Sequence, residues 1–217
     1  MQNKWILLFA LAIVVGTAAA FMVLAPQITP ATLLRGGETA AGDGFMLVNQ
    51  SGTALILYDD ALAANTSDPV LLKKKGEALI RSGQTEEAEQ VYRQLLSQNG
   101  TDPEVLVRIG DFSSLKGDYA GAVSYYDTAL AIQPGSAKTW LREGDAYLAL
   151  AVTQYREQHA VFLDSLDTYR KAMADYAEAE KLDPRLSAVV SARTLAADQF
   201  QAGGDYQNLL TSLKASP

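Results

Sequence analysis

One periodicity limits what this chain can fold into. Pro69, Leu72, Gly76, Ala88, Tyr92 and Leu95 are followed 34 residues later by Pro103, Leu106, Gly110, Ala122, Tyr126 and Ala129. A fixed interval of this size means that one supersecondary unit is being stacked on copies of itself. Within a unit, the glycine and the alanine are small so that two helices can cross closely, and the tyrosine and leucine fill the gaps beside them. Lys116-Gly117-Asp118 closes the first helix with a residue free to take φ > 0 and opens the second with an aspartate N-cap. Asp68 and Pro69 begin another helix, proline standing where a missing N–H costs nothing. Pro134-Gly135 ends the helix before it.

Counted from Pro103, Leu106, Ile109 and Gly110 occupy positions four, seven and eight. Ala122, Tyr126, Ala129 and Pro134 occupy positions 20, 24, 27 and 32. This pattern resembles the tetratricopeptide repeat, a 34-residue helix–turn–helix. The resemblance implies an all-α, right-handed superhelical solenoid. Full repeats are expected over about 69–102, 103–136 and 137–186, with capping helices over 45–66 and 187–215. Ala54, Tyr58 and Ala61 match only a second helix, because the first would fall in a glycine-rich stretch. Lys75 replaces the apolar seventh position of the first full repeat.

The third repeat has Trp140, Gly144 and Tyr147, then Ala172, Tyr176, Ala179 and Pro184, with sixteen residues too many between its halves. The excess, around 152–167, lacks Gly and Pro and keeps Tyr155, His159, Phe162, Leu166 and Tyr169 at helical spacing. Two helices each about two turns longer predict a hairpin projecting roughly 12 Å past its neighbours. One unbroken helix from Lys138 to Lys181 is the alternative, but it would leave Gly144 and Ala172 without partners.

Trp5–Leu24 is twenty residues without a charge, enough for a helix of roughly 30 Å to cross a bilayer. Lys4 precedes it, and the next cation is Arg35, which predicts a cytoplasmic N-terminus and a repeat domain on the extracytoplasmic face. Ala18-Ala19-Ala20 leaves signal cleavage and secretion as the alternative. Residues 1–25 therefore read as a single-pass anchor in the cell membrane, 26–44 as a flexible linker and 45–217 as the repeat domain. Pro26–Gly44 carries two prolines and four glycines with no apolar period, so it is expected to be a tether.

The net charge of −7 disfavours nucleic acid, which needs a basic stripe. The absence of cysteine removes disulfides and thiolate chemistry, and a lone histidine leaves little for imidazole metal sites. No phosphate loop, catalytic triad or metal spacing is present, so no cofactor and no enzymatic activity are expected.

In such arrays, first-helix positions two, five, six, nine, twelve and thirteen line a concave groove, as the resemblance implies. Here they supply Lys73 and Glu77, Arg108 and Asp111, and Lys138 and Arg142. Cations converging in an acidic protein favour an acidic or carboxylate-ended peptide. Some family members clamp a C-terminal carboxylate; the sequence resembles that clamp at Lys73, Lys138 and Arg142 and departs from it at Glu77 and Arg108. The competing reading is an ordinary solvated helix face, with Lys73 and Glu77 an i,i+4 pair. Tyr155, Phe162 and Leu166 on the hairpin could dock a partner or a second copy in a homo-oligomer, or could bury against each other. The expected function is a membrane-tethered scaffold for a protein or peptide partner, the alternative being a structural assembly subunit.

Overall fold

The computed structural model describes residues 30–201 except 48, 64 and 159–161, leaving aside the side chains of 30–36, 155–158, 162–165 and 199–201. Every regular element among the described residues is helical. The helices are α1 (Pro30–Leu47), α2 (Ser51–Ala63), α3 (Pro69–Arg81), α4 (Thr85–Gln98), α5 (Pro103–Leu115), α6 (Tyr119–Ile132), α7 (Ala137–Gln158), α8 (Phe162–Leu182) and α9 (Ser187–Gln201), with a 3-10 turn at Pro184–Leu186. This is an all-α helical repeat array of the tetratricopeptide kind. The chain divides into two compact bodies, Met1–Gln84 and Thr85–Pro217.

Local chemistry sets the helix boundaries. Asp68 accepts from the Val70 and Leu71 amides at 3.0 and 3.2 Å, and Asp102 repeats this on Glu104 and Val105 at 3.0 and 3.4 Å. Asp118 accepts from the Gly121 amide at 3.0 Å to open α6. Gly83 and Gly117 take φ of 80° and 83°, so that the next amide reaches back five residues, Gln84 to Leu79 and Asp118 to Ser113, at 2.9 Å each. Asn49, with φ 59°, performs the same turn after α1, Gln50 reaching Phe45 at 2.9 Å.

In the N-terminal body, the sequence-based expectation of a flexible tether over Pro26–Gly44 is corrected from residue 30 on, where the chain is helical, while 26–29 lie outside the described residues. The glycine content that reads as a linker has a packing reason at Gly42. A Cβ there would lie 2.5 Å from Tyr58 Cε1, so only glycine admits the ring. The half-repeat is thus a helix pair, α1 on α2, with Phe45, Met46 and Leu55 packed against Ala54, Tyr58 and Ala78. Trp5–Leu24 lies outside the described residues, and among those described no helix is long and apolar enough to cross a membrane.

In the C-terminal body, Gly110 and Gly144 meet Tyr126 and Tyr176 as Gly42 meets Tyr58, with a hypothetical Cβ 2.6 and 2.7 Å from the rings. Each of these two tyrosines is at most 2% exposed. The third repeat is a pair of separate helices of 22 and 21 residues, against 13 and 14 for α5 and α6. Gly144 faces the Ala172 carbonyl, and Thr168 donates to Gln154 at 3.0 Å further along the extension. Helix α9 closes the described core through Val190 and Ala197, packed with Tyr176 and Leu148. The short helix expected to follow it lies outside the described residues.

Candidate functional site: a cationic pocket on a Tyr–Asp ladder

The site is built on a motif that recurs along the first helices. Position nine is acidic at Asp43, Asp111 and Asp145, and each carboxylate accepts from the tyrosine at position 24 of its own repeat. Tyr58 donates to Asp43 at 2.8 Å, Tyr126 to Asp111 at 2.8 Å and Tyr176 to Asp145 at 2.7 Å. A cation from the next first helix then completes each step. Lys74 pairs with Asp43 in the N-terminal body. In the C-terminal body, Arg142 Nε reaches Asp111 Oδ1 at 3.0 Å and Arg193 Nε reaches Asp145 Oδ1 at 3.1 Å. The ladder ties one first helix to the next by charge-assisted bonds, stronger than neutral ones.

These contacts divide the six groove residues of the sequence reading. Lys73 and Glu77 belong to α3 of the N-terminal body, where Arg81 Nε meets Glu77 Oε1 at 3.4 Å. The other four come together in the C-terminal body. Asp111 lies within it as an organiser of cations, held by Tyr126, by Arg142 and by Arg108 at 3.7 Å. Burial raises its pKa above the ordinary aspartate value, while Arg142, Tyr126 and Arg108 pull it back.

Beside this group opens a pocket of about 230 Å³ between α5, the end of α6 and the start of α7. Arg108, Lys138 and Arg142 line it, together with Glu104, Val107 and Thr139. Thr139 is fixed by a 2.8 Å bond with Ser136, whose carbonyl accepts from the Thr139 and Trp140 amides in the first turn of α7. Trp140 Nε1 donates to the Pro134 carbonyl at 2.8 Å and pins the turn on which Lys138 sits. Lys138 is exposed and forms no ion pair among the described residues. Three cations set against Glu104 and the neighbouring Asp111 make the lining cationic, with Asp183 acting on Lys138 from the end of α8. The helix N-terminus adds to the positive potential. Such a pocket can hold one carboxylate by charge-assisted hydrogen bonds.

The hairpin residues fare differently. Tyr155 and Phe162 have backbone in α7 and α8, but their side chains lie outside those described, as does His159. Leu166 is half-buried on α8.

Sequence reasoning missed two features. Gly42-Asp43 lies 34 residues before Gly76-Glu77 and was a legible signal for an earlier repeat. Glu143, at the seventh position where the second repeat has Ile109, is 1% exposed and shares the core with Asp175 at 8%. Lys75 shows the same departure in the first repeat and resolves it differently, pairing with Asp59 at 2.7 Å.

Comparison with known proteins agrees with this architecture. Residues 73–137 match the tetratricopeptide repeat family. A curated relative, the inactive TPR repeat-containing thioredoxin TTL3 of Arabidopsis thaliana, is 30% identical over 92 residues, 42% of this chain and 11% of the relative. The array is also similar to the crystal structure of MamA, at 16% identity and a TM-score of 0.58 over 80% of this chain and 90% of the other. The 41-end fragment of MamA from Desulfovibrio magneticus RS-1 superposes with a TM-score of 0.60 at 16% identity, covering 83% and 94%. At these identities the likeness is one of fold.

Proposed function

We propose that the C-terminal body docks an acidic or carboxylate-ended peptide of a protein partner, with the chain acting as a scaffold held at the extracytoplasmic face of the cell membrane by Trp5–Leu24. Tetratricopeptide arrays are protein-interaction modules that present extended surfaces to partners. The observation that carries the reading is the convergence of Arg108, Lys138 and Arg142 on one pocket. Asp111 orients both arginines, so the pocket is organised before a ligand arrives, which lowers the entropic cost of binding.

Lys138 gives the cleanest test, because it takes part in no rung of the ladder. With the full-length chain and a fluorescent peptide ending in consecutive glutamates and a free carboxylate, Lys138→Glu should weaken binding about tenfold or more, the scale of one charge-assisted bond. Amidating the peptide terminus should weaken it again if the terminal carboxylate is the group held. A pull-down from membranes run in parallel identifies the natural partner. Binding and partners unchanged in Lys138→Glu would overturn the pocket and move the docking surface to the extended hairpin.

A further inference from the structure

A second cluster of ionisable groups lies where α6, α7 and α8 meet. Glu143 of α7 and Asp175 of α8 are 1% and 8% exposed, and Asp127, exposed on α6, faces Glu143. Glu143 Oε1 and Asp175 Oδ2 are buried without any hydrogen-bond partner. None of the three carboxyls takes part in an ion pair among the described residues. The cluster is no metal site, for among the described residues no group of acids or imidazoles is placed to hold one. The other charged and titratable groups facing it are Tyr147 of α7, and Lys171 and Tyr176 of α8. Lys171 sits 5.3 Å from the Tyr147 ring centroid and favours ionised Asp175. Tyr176 is engaged with Asp145, which Arg193 of α9 neutralises.

Two buried carboxyls on neighbouring helices, with the exposed Asp127 carboxylate at their edge, do not readily both ionise where one ammonium faces them. We propose that the buried pair Glu143 and Asp175, with Asp127 at its edge, forms a proton-responsive latch, holding α7 and α8 together while the buried carboxyls keep their protons and loosening them as pH rises. Burial, then Asp175 and Asp127, push Glu143 up to about 9, and burial, then Asp127, push Asp175 up to about 7. In the unfolded chain the same groups titrate near 4.5 and 3.8. Both pKa values are raised on folding, so the stability they contribute is complete below the unfolded values and is lost as pH climbs to the folded ones. For each such carboxyl the folding equilibrium weakens by up to about tenfold per pH unit within its window. Glu143 adjoins Arg142, so opening the latch would also disturb the pocket. That consequence, unlike the latch itself, rests on the peptide-docking reading.

The test uses the full-length chain between pH 5 and 9, below the ordinary range of tyrosine. Thermal melts and amide exchange over α7 and α8, corrected for intrinsic exchange rate, are compared for wild type, Glu143→Gln and Glu143→Leu. Wild type should lose protection and melting temperature steadily as pH rises, and both variants should lose much less. A flat wild-type profile, or an equal decline in wild type and both variants, would overturn the latch. Affinity for the glutamate-ended peptide should fall with pH in wild type more than in Glu143→Gln. Absence of peptide binding at every pH would refute the docking reading while the melts still decide the latch.

Discussion

The second and third repeats use the same frame and differ at one core position. Both set a glycine against a tyrosine ring, both bond that tyrosine to a position-nine aspartate, and both neutralise the aspartate with an arginine from the next first helix. At position seven, however, Ile109 is fully buried in one and Glu143 is 1% exposed in the other. The frame is therefore indifferent to the polarity of the seventh side chain, provided that the charge can be neutralised by a proton. The first full repeat reaches a third solution, in which Lys75 is part-exposed and meets Asp59. The difference separates what the repeat needs in order to fold from what an individual repeat can vary.

Exchanging the seventh residues would break the comparison most severely. Ile109→Glu should destabilise the C-terminal body by about 3–5 kcal/mol in a denaturant melt at pH 8, because no second carboxyl is described beside it to share a proton. Glu143→Ile should instead be neutral or stabilising by about 1–2 kcal/mol at that pH. Next in size is the frame itself. Gly110→Val and Gly144→Val should each cost about 3 kcal/mol, since a Cβ would enter the tyrosine ring and a helix cannot yield locally. Equal losses at the two sites would confirm one shared frame.

The ladder offers a graded version of the same comparison. Asp145→Ala strands Arg193, which is 8% exposed, and should cost about 3 kcal/mol. Asp43→Ala leaves Lys74 more accessible to water and should cost about 1 kcal/mol by the same melt. The smallest expected effect concerns acid. Lys116, then Arg93, hold the Glu89 carboxyl below its usual value. Its contribution is therefore present above about pH 4.5 and lost as pH falls through the lowered value. Glu89→Gln should flatten the acid side of the stability profile by about 1 kcal/mol, the opposite sense to the Glu143 variants at alkaline pH.

Much of this was legible in the chain. The 34-residue interval, the aspartate caps and the turn glycines located α3 to α6, because they are local requirements that any fold of this kind must meet. The sixteen-residue excess without Gly or Pro indicated a lengthened helix pair, and α7 and α8 have that length. Arg108, Lys138 and Arg142, which the family resemblance places toward a groove, line one pocket. Glycine density misled the reading of Pro26–Gly44, since a glycine required by a tyrosine ring looks the same as a glycine in a linker.

Sequence by itself determined the repeat, its helix ends and which side chains each first helix carries, because these depend on neighbours within about one 34-residue unit. Tertiary structure alone decided which charges are spent and which remain. Asp111 could have faced a ligand or its own arginines, and only the approach of α7 to α5 committed it to Arg142. Glu143 could have pointed to solvent, and only the packing of α6, α7 and α8 enclosed it with Asp175. The energy of a charge depends on its solvation and on partners distant in sequence, and these exist only after the helices have packed.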